Sequence, residues 1–280
     1  MPRVLPSWDN SAKGPPVTDS DVQNMKELFR QAAPYCDDDY ASLGYTADIG
    51  FYVDLAARIG GPVLEMGCGT GRVLLPTARA GIPIHGMDLS PEMLERLRQK
   101  LANEPKEVQQ RVSLSEGDVR STAVDGRFAL VTAPFRVLQA LLDREDQRAW
   151  LRNVQRHLAP GGSLCFDVFQ PDYRRVHEPR GPFVELERLD RATGRKIRRV
   201  ASTRPRPEFQ VFDVDLEWQA ESEGTWLPGA PATITLRWFT RAELENLLEL
   251  EGLRIADYWG SFDRQPFGAG SQQQVVRATC

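Results

Sequence analysis

Residues 63 to 72 read Val-Leu-Glu-Met-Gly-Cys-Gly-Thr-Gly-Arg: a stretch of strand length that ends in three glycines, each one residue apart. The helical pattern Val73–Ala80 follows, closed by Gly81. No other feature constrains the fold as much. Glycine tolerates the positive φ of a tight turn and lets a ligand approach the backbone, and the helix N-terminus behind it offers unbonded N–H groups. The segment therefore predicts a ligand held at a strand-to-helix turn.

Its surroundings predict the sheet. Strand-like runs at Pro83–Leu89, Val112–Glu116, Phe128–Ala133 and Ser163–Phe169 alternate with helical ones. Ser90-Pro91 starts one helix with a cap and a proline at its first position, and Met93, Leu94, Leu97 and Leu101 form its apolar face. Asp143 caps another, whose inner face is Trp150, Leu151, Val154 and Leu158, and Pro160-Gly161-Gly162 turns the chain onward. Strands separated by helices of this length imply a parallel sheet with right-handed crossovers. Upstream, residues 1–20 read as a loose arm. Val22, Met25, Leu28 and Phe29 give a helix over Asp21–Ala33, and Phe51, Tyr52, Leu55 and Ile59 a second over Ile49–Ile59.

Beyond residue 175 the period changes to two. Phe183–Leu189 and Arg195–Thr203 flank the turn Arg191-Ala-Thr-Gly194, and Phe212, Val214, Leu216 and Trp218 alternate with acids; Ile234, Leu236 and Trp238 repeat the pattern. Roughly four antiparallel strands are expected here. Thr240-Arg-Ala-Glu243 is a capping box, and two more strands follow, Leu253–Trp259 and Gln274–Thr279. The expected division is an N-terminal arm and helical lid over 1–59, a core over 60–175 and 236–280, and an antiparallel insertion over 176–235.

Charge and composition exclude some functions. The net charge is −4 with no basic tail, which argues against a nucleic-acid binder. Cys36, Cys68, Cys165 and Cys280 form no CxxC pair, so neither zinc nor a disulfide framework is expected. Residues 1–20 lack the apolar region of a signal peptide, and no run approaches the ~20 apolar residues of a membrane span. A soluble, cytoplasmic protein without a metal or a membrane partner is the expectation.

Two acids extend the ligand site. Asp88 ends the second strand, 21 residues after Gly67, where a carboxylate can take both hydroxyls of a ribose. Ser90 already fills the helix cap, so Asp88 is not needed for that. Asp118, in Glu116-Gly-Asp-Val-Arg120, can accept from an adenine amino group, with the Val119 N–H facing a ring nitrogen. The dinucleotide fingerprint fails because position 72 is Arg, and no Gly-Lys-Ser/Thr follows for a Walker loop.

Glu65-x-Gly67-x-Gly69-x-Gly71, Gly86-Met-Asp-Leu-Ser-Pro-Glu-Met-Leu94, Glu116-Gly-Asp118 and Leu158-Ala-Pro-Gly-Gly162 together resemble the class I S-adenosylmethionine-dependent methyltransferases, small-molecule branch. The resemblance covers about 60 to 170 and again 236 to 280. It implies a doubly wound, seven-stranded, mostly parallel α/β sheet with the last strand antiparallel, here carrying the antiparallel β insertion. It implies S-adenosylmethionine as cofactor and methyl transfer to N or O of a small molecule. By position, Glu65 orients the methionine end, with Gly67, Cys68 and Gly69 beneath it. Asp88 takes the ribose, Leu89 and Met93 flank the adenine, and Asp118 and Val119 read its edge. The Ala133 carbonyl accepts from the ammonium, while Arg72 and Tyr40 meet the carboxylate. Tyr35, Asp37, Tyr40, Phe51 and Tyr52 look like the branch's N-terminal lid.

One departure matters. Thr132-Ala-Pro-Phe-Arg136 lacks the Asn/Asp-Pro-Pro-aromatic segment of many amine and base methyltransferases, which argues against nucleobase or glutamine acceptors. Phe135, Arg136, Tyr173 and His177 are the expected substrate contacts. No catalytic base is assigned; Tyr173 and His177 are the candidates. His85 reads as a core or sheet-face residue, and His157 as a cation at a helix C-terminus. The basic stretch Arg188, Arg191, Arg195, Lys196, Arg198, Arg199, Arg204 and Arg206 fits either an anionic substrate or cross-strand pairing with Asp213, Asp215 and Glu217. The insertion is also the natural place for a homodimer contact. A catalytically silent cofactor-binding scaffold and a nicotinamide oxidoreductase are the competing readings.

Overall fold

The computed structural model describes residues 19–280 except 175, 192 and 230, with side chains from residue 24 onward. The expected arm, and Val22 as part of a helix face, lie outside the described residues. In chain order the elements are α1 (Asp19–Ala32), α2 (Cys36–Ser42), α3 (Ala47–Ile59), β1 (Val63–Met66), α4 (Leu74–Arg79), β2 (Ile84–Asp88), α5 (Pro91–Ala102), α6 (Lys106–Gln109), β3 (Val112–Glu116), β4 (Phe128–Ala133), α7 (Arg144–His157), β5 (Leu158–Phe169), β6 (Arg180–Leu189), β7 (Lys196–Arg206), β8 (Val211–Ser222), β9 (Thr225–Leu227), β10 (Ala232–Arg237), α8 (Arg241–Leu250), β11 (Arg254–Trp259) and β12 (Gln273–Thr279).

Seven strands form the main sheet in the order β11-β12-β5-β4-β1-β2-β3. β3, β2, β1, β4 and β5 run parallel, and β12 is antiparallel to both its neighbours. Strand order reverses between β1 and β4, and in such sheets the cleft beyond the carboxyl ends at that point is where ligands bind. Both faces are covered. Trp150, Leu151 and Val154 of α7 pack on one with Leu164 and Phe166 of β5. Phe51, Tyr52 and Leu55 of α3 pack on the other with Leu74, Leu94 and Leu97. The predicted caps are present: Ser90 Oγ accepts from the Met93 N–H, Asp143 from the Asp146 N–H, and Thr240 and Glu243 complete a capping box.

β6 to β10 make a second, antiparallel sheet in the order β10-β8-β7-β6, with the three-residue β9 added on β8. This fifth strand is too short to show as alternation, and β10 runs two residues past the expected boundary, to Arg237. α1 and α2 lie between the two sheets: Leu28, Ala32 and Cys36 pack with Ile197, Trp218 and Ala232 on one side and Met93 of α5 on the other. Phe51 and Tyr52 differ from the lid expectation. They are 4% and 1% exposed, packed against Trp259 and Phe262, because α3 lies on the main sheet rather than over its edge. Among the described residues no helix is long and apolar enough to cross a membrane.

Two histidines take their places as sheet and loop braces. His85 stands on the sheet face with its ring nitrogens 2.7 and 2.9 Å from the Ser113 and Ser115 hydroxyls of β3. His157 corrects the expected cation. It is buried, and its Nε2 accepts from the Val124 N–H at 3.0 Å, so that nitrogen carries no proton and the ring is the neutral Nδ1–H form facing the Asn153 carbonyl at 2.7 Å.

Candidate active site

At the carboxyl ends of β1, β2 and β4 lies a cavity of about 390 Å³. That is within the range of about 300–1,000 Å³ for small-molecule sites. Its floor is the glycine turn, and its roof is Leu28, Cys36 and Tyr40 with Phe183, Arg199 and Leu216 of the second sheet.

The turn is held by backbone bonds. The Gly67 and Cys68 N–H groups both donate to the Met87 carbonyl, at 2.8 and 3.0 Å. Gly67 has φ +75°, and a Cβ there would come within 2.6 Å of Val137 Cγ2, so only glycine fits. A Cβ on Gly69 would meet no protein atom within 4 Å, so this glycine leaves open space for a ligand rather than a neighbour.

Asp88 and Glu65 stand beside the turn. Asp88 Oδ2 accepts from the Gly69 N–H at 2.7 Å and Oδ1 from the Ser90 N–H at 2.9 Å. Burial raises its pKa, and these N–H donors oppose the rise. The carboxylate braces the loop and still faces the cavity, with acceptor capacity to spare. Glu65 is 1% exposed, and its Oε2 has no hydrogen-bond partner among the described residues. Burial pushes its carboxyl up to about 8, with Arg72 opposing and Asp48 and Asp88 reinforcing. An orphaned buried oxygen costs roughly 1–3 kcal/mol, and a donor on a bound ligand removes that cost. The residues therefore fit a cofactor that brings hydroxyls and an ammonium.

The rest of the predicted cofactor set also lines the cavity: Tyr40, Cys68, Arg72, Leu89, Met93, Asp118 and Val119. Two of these are already engaged. Arg72 makes a two-pronged pair with Asp48, 2.6 Å at each prong, and donates to the Tyr45 carbonyl at 3.0 Å. Burial works against its charge and Asp48 more than offsets this, so its pKa is raised. Asp118 is gripped by Arg120, which also reaches Asp146 at 2.6 Å. Burial alone would raise Asp118, but Arg120 lowers its pKa overall. Ala133 is the exception. It is fully buried and does not reach the cavity wall, where Pro134 takes its place.

Phe135 and Arg136 lie on the wall, in consecutive left-handed conformations with φ +61° and +73°. Such strain persists only where neighbours over-determine it. Here the Phe135 N–H donates to Asp167 Oδ1 at 2.9 Å, and the Tyr52 hydroxyl donates to the same oxygen at 2.7 Å. The Phe135 ring packs on Tyr40 and Tyr45, 4.8 and 5.7 Å between centroids, with the Arg72 guanidinium 4.9 Å from it. Phe135, Arg136 and Tyr45 also wall a second, larger cleft. Tyr173 and His177 are exposed and line neither cavity, because the chain beyond β5 turns outward.

Sequence reasoning missed Asp39 and Asp48 and gave Asp37 only a place in the lid. Asp39 is completely buried and accepts from Arg188 Nε at 2.8 Å, Arg199 at 3.3 Å and the Trp218 indole N–H at 2.8 Å. Asp37 accepts from the Thr70 hydroxyl of the glycine turn at 2.7 Å and from Lys100 of α5 at 2.9 Å. α2 thus ties the cofactor loop to the second sheet. The anionic-substrate reading of the basic stretch finds most of these arginines paired, but only partly as foreseen. Arg204 and Arg206 pair with Asp215 and Asp213. Arg199 instead pairs with Asp39 and Glu185, and Arg198 with Gln219 and the Trp226 ring. Asp167 had a signal, an acid inside the apolar run Leu164–Phe169 of a central strand.

The family described as "Methyltransferase domain" matches residues 63–162. The cypemycin N-terminal methyltransferase of a Streptomyces species is 29% identical over 219 residues, 78% of this chain and 82% of that one. Among solved structures, the CcbJ methyltransferase from Streptomyces caelestis superposes with a TM-score of 0.71 at 26% identity, covering 84% of this chain and 95% of that one. CalS10 from Micromonospora echinaspora, an amino pentose methyltransferase solved with S-adenosylmethionine bound, gives a TM-score of 0.64 at 25% identity, covering 87% and 96%.

Proposed function

We propose, on the premise that this chain belongs to the S-adenosylmethionine-dependent methyltransferases, that it methylates a nitrogen of a small molecule at the wall formed by Phe135 and Arg136. S-adenosylmethionine supplies the methyl group, made electrophilic by its sulfonium. The observation that carries the reading is the orphaned Oε2 of Glu65 beside Asp88, on a glycine turn that only glycine can make. Glu65 serves the methionine end and Asp88 the ribose, with Leu89 and Met93 against the adenine. Asp118 reaches the adenine edge once Arg120 yields it, and Arg72 with Tyr40 closes the carboxylate end. Nitrogen is preferred over oxygen because the relative that aligns with 78% of this chain is an N-terminal methyltransferase.

Much of the rate enhancement would come from aligning the acceptor with the methyl carbon and excluding water. α1, α2 and the second sheet provide the exclusion. The parts divide accordingly into a cover made by α1 and α2, a cofactor core over 60–175 and from 238 on, with α3 packed on its sheet, and an insertion over 176–237. Pairing of the basic stretch with carboxylates supports a small-molecule rather than a nucleic-acid acceptor. A homodimer contact would fall on β6, one of the two edge strands of the second sheet, where Val184 and Leu189 are exposed. Three buried free cysteines suit a cytoplasmic setting.

The test is calorimetry. The chain should bind S-adenosylmethionine, and Asp88→Ala should weaken binding by about 1.5–3 kcal/mol, the range for hydrogen bonds to a charged group. Saturable binding of a nicotinamide cofactor with none of S-adenosylmethionine would reject the reading. Binding without turnover across a panel of amines and alcohols would leave a silent scaffold.

A further inference from the structure

The second cleft, about 730 Å³, opens between residues 43–48 and residues 260–273. It meets the cofactor cavity at Tyr45, Phe135 and Arg136, which line both. So it offers an approach to the acceptor position that does not pass beneath the second sheet. At its floor lies Asp167, 3% exposed, near the carboxyl end of β5. Both hydrogen bonds to this carboxylate, from the Tyr52 hydroxyl and the Phe135 N–H, arrive at Oδ1. Oδ2 has no hydrogen-bond partner among the described residues, and it is not sealed from the cleft. Beside it Arg136 stacks on Phe135 and Phe169, with no ion pair among the described residues.

We propose that this cleft is the acceptor's site, that it takes a primary or secondary amine as its ammonium ion, and that Oδ2 of Asp167 receives the ammonium proton before methyl transfer. The inference rests on the methyltransferase reading for its chemistry and adds where the acceptor binds, in what form, and which group activates it. The ammonium gives one proton to Oδ2 and keeps the electron pair. That pair forms the new N–C bond while the S–C bond of the sulfonium breaks and its electrons stay on sulfur as a thioether. The proton on Asp167 leaves to solvent through the open cleft. Arg136 meets the hydroxyls or carbonyl of the acceptor, and its positive charge favours the free amine over the ammonium.

Geometry suits Asp167 to this. Tyr52 and the Phe135 N–H fix Oδ1, so the other oxygen has one orientation. Burial pushes its carboxyl up to about 6, with the two donors and Arg136 opposing and Asp48 reinforcing. Arg72 and Cys165 are the other ionisable groups near enough to influence or feel it, and burial keeps the Cys165 thiol protonated. A general base works best when its pKa lies near the working pH. The same hydrogen bond makes Asp167 the brace of the strained Phe135–Arg136 turn.

The probes are glycinamide and glucosamine, with glycolamide and glucose as neutral counterparts, added to protein saturated with S-adenosylhomocysteine and followed by amide NMR. The amines should shift Phe135 and residues of 260–273, and bind about tenfold more weakly to Asp167→Asn. That variant keeps an acceptor for Tyr52 and Phe135, and its S-adenosylhomocysteine affinity should be unchanged. In the wild type, without any variant, amine affinity should fall about tenfold from pH 7 to 5 as a carboxylate titrating near 6 is neutralised. For any amine that is methylated, Asp167→Asn should lower kcat 10²- to 10⁴-fold and flatten the acid limb of the pH profile. Amines that fail to bind, bind equally to Asp167→Asn, keep their affinity at pH 5, or shift only Phe183, Thr203 and Leu216 would each overturn the proposal. A chain that fails to bind S-adenosylmethionine would sink the methyltransferase reading instead, and amine binding in the cleft would be judged separately.

Discussion

The floor and the roof of the cofactor cavity are built by different means. The floor is made of neighbours in sequence: Gly67 to Gly71 turn within a few residues, and Asp88 braces them across two adjacent parallel strands. The roof is made of residues far apart. Asp39 meets Arg188, Arg199 and Trp218, 149 to 179 positions away in the chain. The floor keeps groups unsatisfied, such as Glu65 Oε2, while the roof satisfies its buried charges with one another. An unsatisfied floor is ready for a ligand, and a satisfied roof holds its shape without one.

The largest test of that contrast is Asp39→Ala. It leaves two arginine side chains, 8% and 7% exposed, facing each other without their shared carboxylate, and an indole N–H without an acceptor. Breaking a buried pair costs about 3–5 kcal/mol. Chemical denaturation should show a loss of that size, with the second sheet and α2 losing hydrogen-exchange protection first. A loss below about 1 kcal/mol would mean that the roof is held by packing of α1 alone.

The same contrast explains what was legible beforehand. Turn chemistry and strand–helix alternation are local, so β1 to β4, the helices α4, α5 and α7 and the residues on the glycine turn could be read from spacing; the four-residue α6 could not, and β5 begins at Leu158, five residues before the expected Ser163. The seven strands of the main sheet and its antiparallel last strand followed from the resemblance, whose motifs are themselves local, but their order comes from the fold. α2 could not be read: its seven residues Cys-Asp-Asp-Asp-Tyr-Ala-Ser have no apolar period, and they form a helix because three acids in its first turn suit the dipole and find partners elsewhere. Asp48 and Arg72, 24 residues apart, are likewise linked only by the fold. Tyr173 and His177 line neither cavity, since their place after β5 is a position in sequence, whereas Phe135, Arg136 and Asp167 line the cleft.

A second test concerns the floor and has the opposite sign. Glu65 has its carboxyl pushed up to about 8 in the folded chain, against 4.5 in the unfolded reference. Between those values the folded state holds a proton that the unfolded state has released, so stability is full below about pH 4.5 and declines as pH rises toward 8. The slope approaches about 1.4 kcal/mol per pH unit. Glu65→Gln should flatten that decline in the ligand-free protein and make it more stable at pH 8, where Asp39→Ala only destabilises. S-adenosylmethionine should flatten it in the wild type too, by giving Oε2 a donor. Denaturation curves of wild type and Glu65→Gln with the same pH slope would remove Glu65 from this role.

The smallest effect separates the interior of the basic stretch from its rim. Arg199 is 6% exposed and belongs to the Asp39 cluster, whereas Arg204, six positions after Arg198 on the same strand, has a side chain 56% exposed and pairs with Asp215 across the sheet. Exposed pairs contribute about 0–1 kcal/mol, because water screens the charges and two long side chains must be ordered. Arg204→Ala should therefore change stability by less than about 1 kcal/mol, and less still at high salt. The acceptor's KM should be unaltered, since Arg204 lines neither cavity. Asp215 keeps Thr233 as a donor at 2.7 Å, so the double variant with Asp215→Asn should differ little from the single one. A severalfold rise in KM for Arg204→Ala, with stability unchanged, would show that the outer arginines meet an anionic part of the acceptor and that the second sheet contributes to its binding after all.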